Sequence, residues 1–346
     1  MSERRLYLDH GPGESRGVVT LDGRPERLLI RRDGDSERLR PGARFAARVR
    51  RLEPAMGSAF VDLGEGDEAV LPFRPEDRPV QGSLQEVEIR SEPRLGKLAV
   101  VRAVGPAEGA PRLVAPPPGL AEQLAGFARE AVIVEGRKAR EIADAAQAEA
   151  LGAVHPLPGG GDIAIETTRA LTSIDVDLGE RKGAEVKRAA RQGNLAALGA
   201  AARLLRLKSL GGLVVFDLAG RGHDGNALLA AARTAFGPDN PGVAFGPISR
   251  FGTLELTIPR RIAPLAERLC RADGASSDLT LALALLRRIE SEAQAQPGAR
   301  LEARCAAAVA DAARPLAEQL ALRIGARFTI LADGGVDRER LEVAAL

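Results

Sequence analysis

Cysteine is almost missing from this chain of 346 residues: Cys270 and Cys305 are far apart and form no CxxC pair. That excludes a disulfide framework and a paired-cysteine zinc site, and leaves both residues to be read as core thiols. Long apolar runs are missing too, none approaching the ~20 residues a membrane helix needs. The opening "MSERRLYLDHG" lacks the apolar core of a secretory signal. The expectation is a cytoplasmic protein that does not engage a membrane. Aromatic residues are only 3% of the chain, with no tryptophan, so any phenylalanine on a polar face has to be accounted for individually. A charge imbalance is also absent: 49 basic against 47 acidic residues leave a net charge of +2, which by itself says nothing about nucleic acid.

What the chain does have is 45% hydrophobic residues and enough length for two or three domains, each with its own core. Its basic residues are mostly arginine, and only five are lysine: Lys97, Lys138, Lys182, Lys187 and Lys208. Three of those five fall between Leu178 and Lys208, where Arg181, Lys182, Lys187, Arg188, Arg191, Arg203, Arg206 and Lys208 face only Glu180 and Glu185. Such a stripe reads either as a solvated helix face or as a surface for a polyanion.

The stripe follows directly on "ALTSIDVDLGERKG", in which an apolar run ends in Asp175 and Asp177. Residues i and i+2 of a strand share a face, so the two carboxylates stand side by side, ~7 Å apart at Cα. Two like charges held that close call for a cation. "LGGLVVFDLAGRG" repeats the arrangement, with Leu213 to Phe216 ending in Asp217 and a glycine-rich turn. Three carboxylates at two strand ends are the donors a hard divalent cation takes.

Along the chain, residues 1 to about 37 read as a β-hairpin with Asp22-Gly23 as the turn. From about 38 to 105, short strands punctuated by turn residues suggest a small barrel. In "SAFVDLG" the alternation puts Ala59, Val61 and Leu63 on one face and Ser58, Phe60 and Asp62 on the other. Phe60 is then either a base-stacking platform or a lid on the core edge. "EAVIVEG" reads as a strand and "RKAREIADAAQAEALG" as a helix; strands follow at Asp162 to Thr167 and Ala170 to Asp175. Asn194 looks like the N-cap of a helix ended by Gly211-Gly212, before the buried strand "GGLVVFD" and a helix from Asn226 to Phe236. Strands alternating with helices indicate an α/β sheet with its carboxylates at strand ends. Beyond Pro259 a small separate α/β unit is expected.

These residues together resemble the bacterial ribonuclease E and G family. "RRLYLDHGPGESRGVVTLDGRPERLLI" resembles the amino-terminal hairpin of its RNase H-like domain, and "GARFAARVRRLEPAMGSAFVDLG" is similar to its S1 RNA-binding barrel. "TRALTSIDVD", "NLAALGAAARLLRLKSLGGLVVFDL" and "ISRFGTLELTIPRR" stand in the order of its DNase I-like catalytic domain. The resemblance implies an α+β multidomain chain: an RNase H-like domain over 1–37 and 113–160, an S1 (OB-type) barrel over 38–112, a DNase I-like domain over 161–262 and a small carboxy-terminal domain over 263–346.

It also implies roles. Asp175 and Asp217 match the family's two catalytic aspartates that hold Mg²⁺, for which Mn²⁺ can substitute. Asp177 stands where the family usually has asparagine; the added charge either tightens the metal, recruiting a second ion, or raises a carboxyl pKa. Phe60 matches an aromatic that stacks on RNA, Val70 replaces a second one, and Lys97 falls on a basic position at the barrel edge. Arg181, Lys182 and Lys187 would bind flanking phosphates, and Ser249-Arg250-Phe251 would line the groove near the metal, with Arg250 on the RNA. The chain has no room for the family's 5'-sensor region, and "LCRADGASS" lacks its CPxC zinc link. No zinc is expected, and any homo-oligomer would form without that link. The resulting expectation is a Mg²⁺-dependent endoribonuclease for single-stranded RNA; the alternative is a non-catalytic RNA-binding protein on the same scaffold.

Overall fold

Asp22 and Gly23 both take positive φ, 51° and 78°, the backbone that a tight two-residue hairpin turn demands. They join the strands Glu14–Leu21 and Arg24–Arg32; Arg4–Gly11 pairs antiparallel on the other side of Glu14–Leu21, so the expected hairpin is a three-stranded meander. The structure is a computed structural model and describes residues 3–94, 96–179, 186–221, 224–237 and 242–346; the side chains of residues 186 and 187 are not among those described. The chain divides into two units, one comprising Met1–Asp35, Leu120–Leu151 and Leu265–Leu346, the other Ser36–Gly119 and Gly152–Pro264.

In the first unit, the strand Ile133–Val134 adds in parallel to Arg4–Gly11, and Leu6, Leu8 and Val19 pack with Leu120 and Leu124 of the helix Leu120–Ala125. The helix Arg137–Leu151 buries an alanine stripe, Ala139, Ala143, Ala146 and Ala150. The strand "EAVIVEG" is thus shorter than the sequence suggests, and the chain enters this helix through Gly136 at φ +76°. The carboxy-terminal segment builds the sheet Phe328–Ala332, Leu301–Cys305, Glu342–Ala345, with the helix Asp278–Ala295 packed on it. Cys305 lies in that core, as a core thiol should, whereas Cys270 is only partly buried. A charge network is buried in the same unit. Asp9 accepts from Arg16 Nη2 at 2.6 Å and from Arg140 Nε at 3.1 Å, and Arg140 Nη2 lies 2.7 Å from Glu290 Oε2.

The second unit contains a closed five-stranded barrel. Ser58–Gly64, Asp67–Pro72, Ala99–Pro106, Leu84–Ser91 and Arg44–Glu53 follow one another around it, and Arg44–Glu53 pairs back onto Ser58–Gly64. Closure removes the open edges, and the inward residues of every strand fill the middle: Phe45, Val49, Ala59, Val61, Leu63, Leu71, Val87, Ile89 and Val101. The barrel is compatible with an S1/OB-type domain. The rest of this unit is a six-stranded mixed sheet in the order Val154–Pro156, Asp162–Thr167, Thr172–Asp177, Gly212–Asp217, Thr253–Ile258, Ala244–Ile248. Thr172–Asp177 and Gly212–Asp217 are parallel neighbours, with the helix Val186–Leu207 between them in sequence. Within this unit Glu92 accepts from Ala263 N at 3.1 Å through its side chain, and its own N–H donates to Arg261 O at 2.9 Å.

Candidate active site

Alternation explains why apolar strands carry aspartates. In Thr172–Asp177 the residues Thr172, Ile174 and Val176 are buried while Asp175 and Asp177 are exposed; in Gly212–Asp217 Val214 and Phe216 are buried while Asp217 is exposed. Each strand therefore packs one face only. Beneath it lie Leu198, Ala202 and Leu205 of the helix Val186–Leu207, and Phe236 of the helix Gly225–Phe236, which meets Phe216 edge-on with ring centroids 6.5 Å apart. The opposite face is left open for the carboxylates.

Parallel pairing then does what sequence spacing could not. Asp175 and Asp217, 42 positions apart, are direct register partners at the carboxyl ends of adjacent strands. Neighbouring strands lie ~4.8 Å apart and register partners point to the same face, so the two carboxylates stand side by side on the open face. Asp177 lies two residues further along, and its Oδ1 accepts from Gly179 N at 2.7 Å in a local turn. Gly161 supports that turn: at φ +71°, a Cβ there would come within 2.2 Å of Asp177 O. Among the described residues no group of three or more His, Cys, Asp or Glu side chains is placed to hold a metal ion. The register-paired carboxylates at this face are Asp175 and Asp217. Two carboxylates on an open face fit a hard, largely hydrated ion such as Mg²⁺, which is commonly held through one or two carboxylates with water completing its octahedron.

Two further residues of this site escaped the sequence. Asp162 is opposite Asp177 in the antiparallel pair and adds a like charge to the same face. Counting back across the Thr167–Thr172 hairpin pair would have found it. Asn194 is not an N-cap: the helix begins at Val186, and Asn194 is fully buried inside it. Its amide Nδ2 donates to Ala219 O and its Oδ1 accepts from Ala219 N, both at 3.0 Å, which clamps the backbone two residues after Asp217. Gly220 follows with φ +88°, so close to the helix that a Cβ would meet Ala190 Cβ at 2.9 Å. Phe251, which the sequence places with Arg250 in the groove, is exposed at the tip of the hairpin between Ala244–Ile248 and Thr253–Ile258.

The clamp makes a prediction. Asn194→Ala leaves both polar groups of Ala219 without their partner, each costing about 1–3 kcal/mol if it stays buried. Denaturant unfolding should show a loss of that order. Asn194→Asp keeps the acceptor but sets a fully buried carboxylate against the Ala219 carbonyl, so it should not recover that loss. Equal stability of all three proteins would refute the clamp.

The basic stripe is less uniform than its sequence implies. Arg203 and Lys208 are buried, Lys208 Nζ donates to Gly152 O, and Arg206 Nη1 donates to Ala235 O at 3.4 Å. These three brace the fold, while Arg188 and Arg191 are exposed. Arg181, Lys182 and the side chain of Lys187 lie outside the described residues.

In the barrel, Phe60 sits on the outer face with Arg51 stacked over it, Cζ 4.4 Å from the ring centroid. Val70 is directly opposite Phe60, and Val100 opposite Val70, so one row crosses three strands. Lys97 is exposed in the tight hairpin with Arg94 that leads into the strand Ala99–Pro106. Arg250, next to Phe251, lies over that ring at 4.7 Å. Asp175, Asp217 and the tip that carries Arg250 are brought together by the sheet; Phe60 and Lys97 belong to the barrel.

Residues 134–261, the stretch that carries both aspartates, match the model of the Ribonuclease E/G family. Over this segment the chain is similar to the ribonuclease E/G family. Ribonuclease E of Haemophilus influenzae is 36% identical over 147 residues, covering 40% of this chain and 16% of that protein. Ribonuclease E of Escherichia coli is also 36% identical over 147 residues, 14% of its length. The chloroplastic Ribonuclease E/G-like protein of Arabidopsis thaliana is 35% identical over 114 residues, 32% of this chain and 11% of the relative. The chain thus spans a small fraction of the curated ribonuclease E/G relatives it matches. No helix among its described residues is long and apolar enough to cross a membrane.

Proposed function

We propose that this chain is a Mg²⁺-dependent endoribonuclease that cleaves single-stranded RNA in RNA processing or decay. The observation that carries the reading is the register pairing of Asp175 with Asp217 on an open sheet face, inside the segment that matches a ribonuclease family. Asp175 and Asp217 would hold Mg²⁺, or Mn²⁺ in its place; such an ion, when bound, activates water and neutralises charge on the phosphorus centre. The chain's own residues do the rest. Asn194 holds the Asp217 loop in place, so the carboxylates meet the substrate already oriented. Arg188, Arg191 and Arg250 are exposed cations of the same unit, suited to phosphates without reading bases. The outer face of the barrel offers Phe60 for stacking and Lys97 for the backbone of an unpaired strand. A duplex, with its bases already stacked, has none to give to that ring.

The test is a comparison of substrate forms. With Mg²⁺, the full chain should cut a short unstructured RNA internally, and annealing the complementary strand should protect it by an order of magnitude or more. With no room for a 5'-sensor in the sequence, a 5'-monophosphate on that RNA should not accelerate cleavage tenfold over a 5'-hydroxyl. Equal cleavage of single strand and duplex would refute the substrate class.

A further inference from the structure

We infer that the hairpin apex Arg250–Phe251 is a nucleobase-stacking site for the strand engaged at Asp175 and Asp217, an inference that rests on the reading of that pair as an RNA-cleaving site. The apex is built to hold its shape. Ser249 N donates to Thr253 O at 2.9 Å and Gly252 N donates to Ser249 O at 3.0 Å, closing a three-residue loop with Gly252 at φ +89°, the pattern of a type I turn followed by a left-handed glycine. Ser249 Oγ accepts from the N–H groups of Phe251 and Thr253, both at 3.2 Å, and lies 2.8 Å from Thr253 Oγ1. A tip pinned in this way presents its side chains at little entropic cost.

What it presents is an exposed ring. Phe251 is 76% exposed and is the only aromatic among the large hydrophobic residues left exposed in the described structure. Packing does not explain it, because so little of the ring is buried. The guanidinium of Arg250 lies 4.7 Å from the ring centroid, and most of the ring surface stays open. Among the described residues Arg250 forms no ion pair with a carboxylate, so its charge remains available to a phosphate.

The position ties this tip to the aspartates. Thr253 is the register partner of Asp217, and Leu218 N donates to Gly252 O at 3.2 Å. The ring therefore rises from the loop next to the strand end that carries Asp217. A single open ring backed by an arginine, beside an acidic and polar sheet face, suits a flat base with a phosphate attached. It offers no apolar groove for a peptide. Stacking of this kind tolerates any base, because every base has a π face.

The chain has no tryptophan, so Phe251→Trp introduces a single indole as a reporter. In EDTA, which prevents cutting, titrating the full chain with a ten-residue uridine oligonucleotide should quench its emission saturably. An oligonucleotide of the same length with abasic sites should leave the emission unchanged at concentrations where anisotropy shows it bound. Phe251→Ala should weaken uridine oligonucleotide binding tenfold or more, Phe251→Trp should restore it, and neither should move the melting temperature. If the oligonucleotide binds and the indole emission does not respond, the stacking site is wrong while the RNA-cleaving reading stands. If the wild-type chain binds no RNA at all, both fall.

Discussion

Asp217→Asn is expected to bind single-stranded RNA as well as the unaltered chain and to cut it about a thousandfold more slowly. The substitution preserves size and removes one of the two charges that meet at the register pair. Charge stabilisation by a bound ion is worth several kcal/mol, and each ~1.4 kcal/mol is a factor of ten in rate. Asp175→Asn should behave alike, because in the proposed site both carboxylates would hold the ion. Affinity for RNA should stay level or rise, since removing a negative charge relieves repulsion of phosphate. Asp177→Asn should differ from both. Its carboxylate accepts from Gly179 N, and an asparagine Oδ1 can do the same, so activity should be kept or improved. A loss as large as that of Asp217→Asn would make Asp177 an essential ligand and overturn the two-carboxylate account.

A second large effect concerns stability and lies in the other unit. Asp9 and Arg16 are both buried, and Arg140 supplies the second guanidinium of Asp9. Burial works against the Asp9 carboxylate, yet Arg16 and Arg140 outweigh it and hold its pKa below the ordinary 3.8. A carboxylate whose folded pKa is depressed contributes stability that is fully present above its ordinary value and is lost as pH falls through the lower folded one. Acid unfolding of the first unit should accordingly steepen below pH 3.8. Asp9→Asn removes the carboxylate that Arg16 and Arg140 share, leaving them Asp144 and Glu290 as partners, and should cost up to about 3 kcal/mol at neutral pH, still a large part of the 5–15 kcal/mol typical of a domain. It should also flatten the acid limb of the stability curve. Urea unfolding of both proteins at pH 7 and pH 3 checks both points. A difference that stays the same at the two pH values would mean that the ion pair contributes nothing beyond its packing.

The contrast between these two networks marks how far the sequence could be read. Asp175, Asp177 and Asp217 could be placed at strand ends because each closes a short apolar run, and a strand period of two sets Asp175 and Asp177 on one face without any tertiary knowledge. The Asp22-Gly23 turn and the inward Ala59, Val61 and Leu63 of the barrel were legible for the same local reason. The Asp9 network was not: Arg140 reaches Asp9, and Glu290 reaches Arg140, each across more than a hundred residues of chain. Asn194 misled because a good capping residue is also a good buried clamp, and only the loop it grips, 25 residues later, tells the two apart. Arg203 and Lys208 misled similarly, since a run of basic residues on a helix does not reveal which of them turn inward.

Whether the aspartate pair cuts RNA is decided by a Mg²⁺ titration of wild-type cleavage on a short single-stranded RNA whose binding is followed in the same samples. Internal cleavage should rise saturably with Mg²⁺ and vanish in EDTA, while binding persists throughout. RNA that stays bound and uncut at every concentration of Mg²⁺ or Mn²⁺ would contradict the account and make the chain an RNA-binding protein on a ribonuclease scaffold.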